Sequence, residues 1–123
     1  MKALTIKEPY VTPIGFGKKH YETRSWPTSY RGSIYIHTAL TVMPDPVDGC
    51  ETIFPLGFIV IKATLTDCIR MDEDFINRIK EDSDEYAFGF YEVGRYAWKL
   101  EDVEVLETPI KARGKQRIWE IEL

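Results

Sequence analysis

Lys19, Glu22 and Arg24 fall within six residues of one another, inside the stretch Gly17-Lys18-Lys19-His20-Tyr21-Glu22-Thr23-Arg24. A lysine, a glutamate and an arginine at this density can move a proton or hold an anion. To act as a base near neutrality Lys19 would need help, because a free lysine has a pKa of about 10.4 that only desolvation or a nearby cation lowers. Arg24 is such a cation. As binding groups, Lys19 would meet a phosphate as a point charge, whereas Arg24 and Arg31 suit bidentate contacts with a phosphate or a base edge. Glu22 would orient the two cations or accept a hydrogen bond from an amino group on a base. Taken alone, the same three residues read first as a solvated strand edge, where an exposed ion pair is worth only about 0–1 kcal/mol.

The neighbours add to the case. Tyr21, Trp26, Tyr30, Tyr35, Tyr96 and Trp98 could set aromatic faces beside the cations, and stacking one base on one ring is worth roughly 1–3 kcal/mol. Trp98 and Trp119 are expected in the core instead. His37 lies near the end of a predicted strand and is a candidate ligand contact, although a lone histidine there is also an ordinary structural residue; His20 is read the same way.

These residues need elements to position them. Lys2 to Ile6 reads as an opening strand, and a short helix through Tyr10 and Ile14 is expected to stop at Gly17, with Pro13 harmless only if it lies in the first turn. From His20 the pattern has period two, which puts His20, Glu22, Arg24 and Trp26 on one side and Tyr21, Thr23 and Ser25 on the other. Gly32 to Thr38 is a second strand of this kind, with Ile34 and Ile36 inward and Tyr35 and His37 opposite. Residues 41–56 hold three prolines and no periodicity, and read as a long loop. Phe58 to Leu65 is a β-branched apolar run suited to a central strand. Asp72 is placed to cap a helix with Phe75, Ile76 and Ile79 as its stripe. Asp82 to Gly94 reads as a loop, Arg95 through Val105 as a strand with Tyr96, Trp98 and Leu100 on one face, and Gln116 to Leu123 as a closing strand. The expectation is a mainly β, α+β fold: a small, curved, partly closed β-barrel with two or three short helices, in one domain spanning 1–123.

The bulk numbers agree with a globular domain. The chain has 123 residues, 44% of them hydrophobic and 29% charged, enough for one core. No apolar run approaches the roughly 20 residues of a membrane span, and the start has no signal-peptide core, so a cytoplasmic protein without membrane association is expected. Cys50 and Cys68 form no close pair, no metal-ligand set is evident, and no cofactor is expected. The net charge of −4 disfavours a strong non-specific nucleic-acid binder, but the charge is uneven: residues 1–40 carry +4, residues 41–107 carry −10 and residues 108–123 carry +2. If the fold brings the two ends together, a basic cleft can exist on an acidic protein.

The ordered set of segments also resembles a known family. The motif G-x-K-x-x-E-x-R at Gly17 to Arg24, the opening Lys2 to Lys7 with Pro9-Tyr10, and Arg24-Ser25-Trp26 through Tyr30-Arg31-Gly32 to Ile36-His37 are similar to the ASCH (activating signal cointegrator homology) domains of the PUA-like superfamily. So are Glu85 to Gly89, Gly94-Arg95-Tyr96-Ala97-Trp98, Pro109-Ile110 and Gly114 to Trp119. The resemblance implies a PUA-like barrel whose cleft gathers the motif's Lys, Glu and Arg and binds RNA or a nucleotide-like small molecule. With the neighbouring residues read above, the expected binding residues are Lys19, Glu22, Arg24, Trp26, Tyr30, Arg31, His37, Arg95 and Tyr96. Some ASCH-like proteins are amidohydrolases that deacylate an acylated cytidine, and others are metal-assisted ribonucleases; the alternative is therefore a hydrolase with Lys19 and Glu22 in the catalytic site. The amidohydrolases carry a threonine nucleophile where this chain has Glu22, and alternation directs the adjacent Thr23 to the other face. A third possibility is a protein-interaction domain working through the acidic stretch from Asp67 to Glu107.

Overall fold

The structure, a computed structural model, describes residues 1–44 and 52–122. Cys50 and much of the expected loop at 41–56 lie outside the described residues; Cys68 is a half-buried free thiol. Among the described residues there are six strands and three short helices: β1 (Lys2–Ile6), α1 (Thr12–Gly15), β2 (Tyr21–Arg24), β3 (Gly32–Thr38), β4 (Phe58–Arg70), α2 (Glu73–Ile79), α3 (Ser83–Ala87), β5 (Tyr96–Lys111) and β6 (Ile118–Glu120). They form one mixed sheet in the order β2-β5-β4-β3-β1-β6. Among the described residues only β1 and β3 run parallel, with Ala3 opposite Tyr35 and Ile6 opposite Thr38.

The sheet curls because its longest pair is repeatedly interrupted. The register of β4 against β5 shifts between Ile59 and Ile61, between Lys62 and Thr64, and between Leu65 and Asp67. Each irregularity bends the strand and raises its twist. The result is the curved half-barrel with attached helices that the strand pattern predicts. Its core gathers Leu4, Ile6, Ile34, Ile36, Val60, Ile61, Leu65, Trp98 and Leu100, with Val11 and Ile14 of α1 packed among them. A second cluster packs Phe75, Ile76 and Ile79 of α2 against Met71 and Ala97.

Local chemistry explains the helices. Pro13 sits in the first turn of α1, where its missing N–H costs nothing. The buried Glu8 carboxylate accepts from Val11 N at 2.9 Å and Thr12 N at 2.8 Å, and supplies the cap that the helix's own N-terminal residue does not. The Asp72 carboxylate accepts from Phe75 N at 2.7 Å, as expected of an N-cap.

Three expectations change. The stretch from Asp82 to Gly94 is not all loop, because Asp82 caps the short helix α3 by accepting from Glu85 N at 3.1 Å. β5 does not end near Val105 but runs through Pro109 to Lys111. β2 pairs only with Tyr96 to Lys99, so the missing N–H of Pro109 falls where β2 asks for no partner. The closing strand is shorter than Gln116 to Leu123, spanning Ile118–Glu120. No helix among the described residues is long and apolar enough to cross a membrane.

Candidate functional site

Gly17 has φ +76°, a conformation that costs glycine nothing, and so ends α1 and turns the chain. Lys18 N and Lys19 N then return to the Pro13 carbonyl at 2.9 and 3.1 Å. That turn delivers Lys19 to the start of β2, while period two sends Glu22 and Arg24 to one face of the strand.

The three side chains meet. Lys19 Nζ donates to Glu22 Oε1 at 2.9 Å, and Arg24 Nη2 forms an ion pair with Glu22 Oε2 at 3.0 Å. Lys19 is only 1% exposed and Glu22 6%. Lys19 also lies 4.9 Å from the Tyr10 ring centroid, and Arg24 Nη2 donates to the Thr5 carbonyl at 2.9 Å. Arg24 Nε is buried with no protein partner among the described residues. Burial pushes the Glu22 carboxyl up, but Lys19 and Arg24 pull harder the other way and leave its pKa below the usual carboxylate value.

This cluster forms part of the lining of a cleft of about 660 Å³. Six cations border it, Lys7, Lys19, Arg24, Arg95, Lys115 and Arg117, and the single carboxylate among the described lining residues is Glu22. Two aromatic faces stand at its edge. Trp26 packs edge-on against the buried Trp98, centroids 4.7 Å apart, and the Arg117 guanidinium lies 4.8 Å over its ring. Phe90, 58% exposed, carries the Arg95 guanidinium 4.4 Å from its centroid.

Of the residues singled out in the sequence, Lys19, Glu22, Arg24, Trp26 and Arg95 line this cleft. Tyr30, Arg31, His37 and Tyr96 do not. Tyr30 closes its own turn by donating from its hydroxyl to the Ser33 carbonyl at 2.5 Å. Arg31 donates to the carbonyls of Thr28 and Tyr30 at 2.9 and 2.8 Å and points toward Asp67. Tyr96 packs half-buried against the core. His37 is buried, with Nδ1 3.1 Å from Thr5 Oγ1, Nε2 2.7 Å from the Ala112 carbonyl and its ring edge-on to Trp119. Thr23 does border the cleft despite its alternation from Glu22, because Phe90 N donates to its hydroxyl at 3.0 Å and holds the loop there. Glu85 is engaged within the protein: it accepts from His20 N and lies 2.8 Å from His20 Nδ1, joining α3 to the start of β2.

Lys7, Phe90, Lys115 and Arg117 are among the lining residues that the motif did not indicate. The signal that could have found three of them was the positive charge at both ends of the chain. β6 pairs antiparallel with β1, Ala3 opposite Trp119, and so brings those ends together.

The curved half-barrel sheet with a few short helices matches a PUA-like fold. Within that class, the chain belongs to the ASCH domain family, whose sequence model matches residues 4–110. Among solved structures it is similar to an ASCH protein from Zymomonas mobilis, at 17% identity and a TM-score of 0.64 over 98% of this chain and 87% of that one. A point mutant of the same bacterial protein gives 16% identity and a TM-score of 0.63, over 98% and 89% of the two chains. At such identities the likeness establishes the fold alone. No curated protein sequence matches the chain.

Proposed function

We propose that the protein binds RNA or a nucleotide-like ligand in this cleft. The observation that carries the reading is the reversal of charge: on a chain of net charge −4, six cations and one carboxylate line a single hollow, beside the rings of Trp26 and Phe90. Cations would hold phosphate, and the rings would stack a base. Titration of a varied panel of single-stranded and modified RNA at low salt tests it. Binding at micromolar or tighter Kd is expected, weakening steeply as salt rises and weakening again in Arg95→Ala. An entire panel without binding at low salt sinks the proposal.

A hydrolase is the second reading, and the feature that favours it is the buried Lys19–Glu22 pair within the cleft lining. Its weakness is that a carboxylate held below its usual pKa is a poor proton acceptor at neutral pH. Incubation with acylated cytidine and with labelled RNA, with and without magnesium, separates the two readings. Turnover lost in Glu22→Gln would support the enzyme; turnover that survives it would remove Glu22 from the mechanism.

A further inference from the structure

The cations of the cleft are not evenly distributed. Its inner part holds the buried Lys19 and Glu22 beside the half-buried Arg24, where the carboxylate offsets one of two positive charges. Its exposed part holds Lys7, Lys115 and Arg117, with the half-buried Arg95 nearby and no acid among the described lining residues. A phosphate brought to the inner part would face the Glu22 carboxylate, whereas at the outer part it would meet cations alone. An uncharged group with an N–H donor has the opposite preference, because Glu22 can accept from it.

The segment that supplies Lys115 and Arg117 is held at both ends. On one side, His37 Nε2 lies 2.7 Å from the Ala112 carbonyl, and Gly114 sits so close that a Cβ there would be 2.8 Å from both His37 Cε1 and Thr5 Oγ1. On the other side, Ile118 to Glu120 pair with β1. Between these anchors Lys115, Gln116 and Arg117 are exposed and border the cleft. Arg117 also has φ +60°, a left-handed conformation that is strained for a residue with a side chain. The guanidinium so placed lies over Trp26.

Resting on the reading of the cleft as a nucleotide site, we infer that the strap Lys115–Arg117 is a phosphate clamp. It makes the cleft select a phosphorylated nucleotide, free or within a strand, over the corresponding nucleoside. Trp26 carries Arg117, and a phosphate beside that ring gains both strap cations without displacing an acid. His37 is then a positioning residue, which acts on the ligand only through Ala112 and the strap.

The test is calorimetric titration of the four common ribonucleosides, their 3′- and 5′-monophosphates and single-stranded RNA, against the wild type and the doubly substituted Lys115→Ala, Arg117→Ala protein. Both side chains are exposed, and a thermal melt of each protein checks that folding is unchanged. At least one monophosphate should bind about tenfold or more tightly than its nucleoside, as charge-assisted hydrogen bonds from two cations allow. The double substitution should abolish that gap and leave nucleoside affinity within about twofold. For RNA, it should reduce the slope of log affinity against log salt by about 0.7 for each phosphate the protein no longer neutralises. Equal binding of nucleosides and monophosphates, equal weakening of both, or an unchanged RNA salt slope overturns the clamp while the cleft reading stands. Should the wild type bind none of these ligands, the cleft reading itself fails, and the clamp with it.

Discussion

Lys19 Nζ and Glu22 Oε1 lie 2.9 Å apart in a place where neither side chain is more than 8% exposed. Two charges removed from water must compensate each other, and removing one partner leaves the other buried and unpaired, at a cost of about 3–5 kcal/mol. Part of the apparent binding machinery is thus also a structural element, and substitutions there mix two effects.

Lys19→Met is therefore expected to destabilise the protein by about 3–5 kcal/mol, and Glu22→Gln by less, since an amide can still accept from Lys19. In the doubly substituted protein the combined loss should be smaller than the sum of the two, with a coupling of about 0.5–3 kcal/mol. Urea unfolding of the four proteins measures the cycle; strictly additive losses would mean that the pair is not a coupled unit.

Acidification probes the same carboxylate. Its folded pKa lies below the ordinary 4.5, so the unfolded chain binds the proton more tightly. The contribution of Glu22 to stability is complete above that ordinary value and fades as the pH falls through the lowered one. Urea midpoints taken from about pH 7 to about pH 3 should drop on the acid side, and Glu22→Gln should flatten the drop. It should not abolish it, because Glu120, hydrogen-bonded by Lys2 and the amino terminus, is held at about 2 and titrates in the same direction.

Tyr91 offers a gain. Its hydroxyl is buried without a protein partner among the described residues, and burial together with Glu85 and other nearby groups raises its pKa. An unsatisfied buried hydroxyl costs about 1–3 kcal/mol. Tyr91→Phe keeps the ring that stacks on Tyr86 at 6.0 Å and removes the orphan group. A thermal melt should show equal or higher stability; a marked loss would mean that the hydroxyl has a partner.

Gly114 has no room for a methyl group, since a Cβ would press on His37 and Thr5 at 2.8 Å. Gly114→Ala should cost about 1–3 kcal/mol, as overpacking does. Because the same close approach seats the strap, nucleotide affinity should fall further than nucleoside affinity. A variant with unchanged stability and unchanged binding would show that the strap can move aside freely.

What the sequence determined by itself is local. Period two put Glu22 and Arg24 on one face, Asp72 marked a helix start, Gly17 marked a helix stop, and the β-branched run from Phe58 identified a central strand; each depends on interactions within a few residues. The five-residue α3 escaped because a single turn has almost no periodicity to recognise. The full length of β5 escaped because Pro109 reads as a breaker until its place beyond the β2 pairing is known. The extent of the cleft was decided only in three dimensions. Lys7 and Arg117 border one hollow although 110 positions separate them, and Tyr30, Arg31 and His37, close to the motif in sequence, turn away from it. No local pattern encodes which strand lies beside which: that follows from burying one continuous core, and it was the pairing of β6 with β1 that carried the basic C-terminal segment to the Lys19–Glu22–Arg24 cluster.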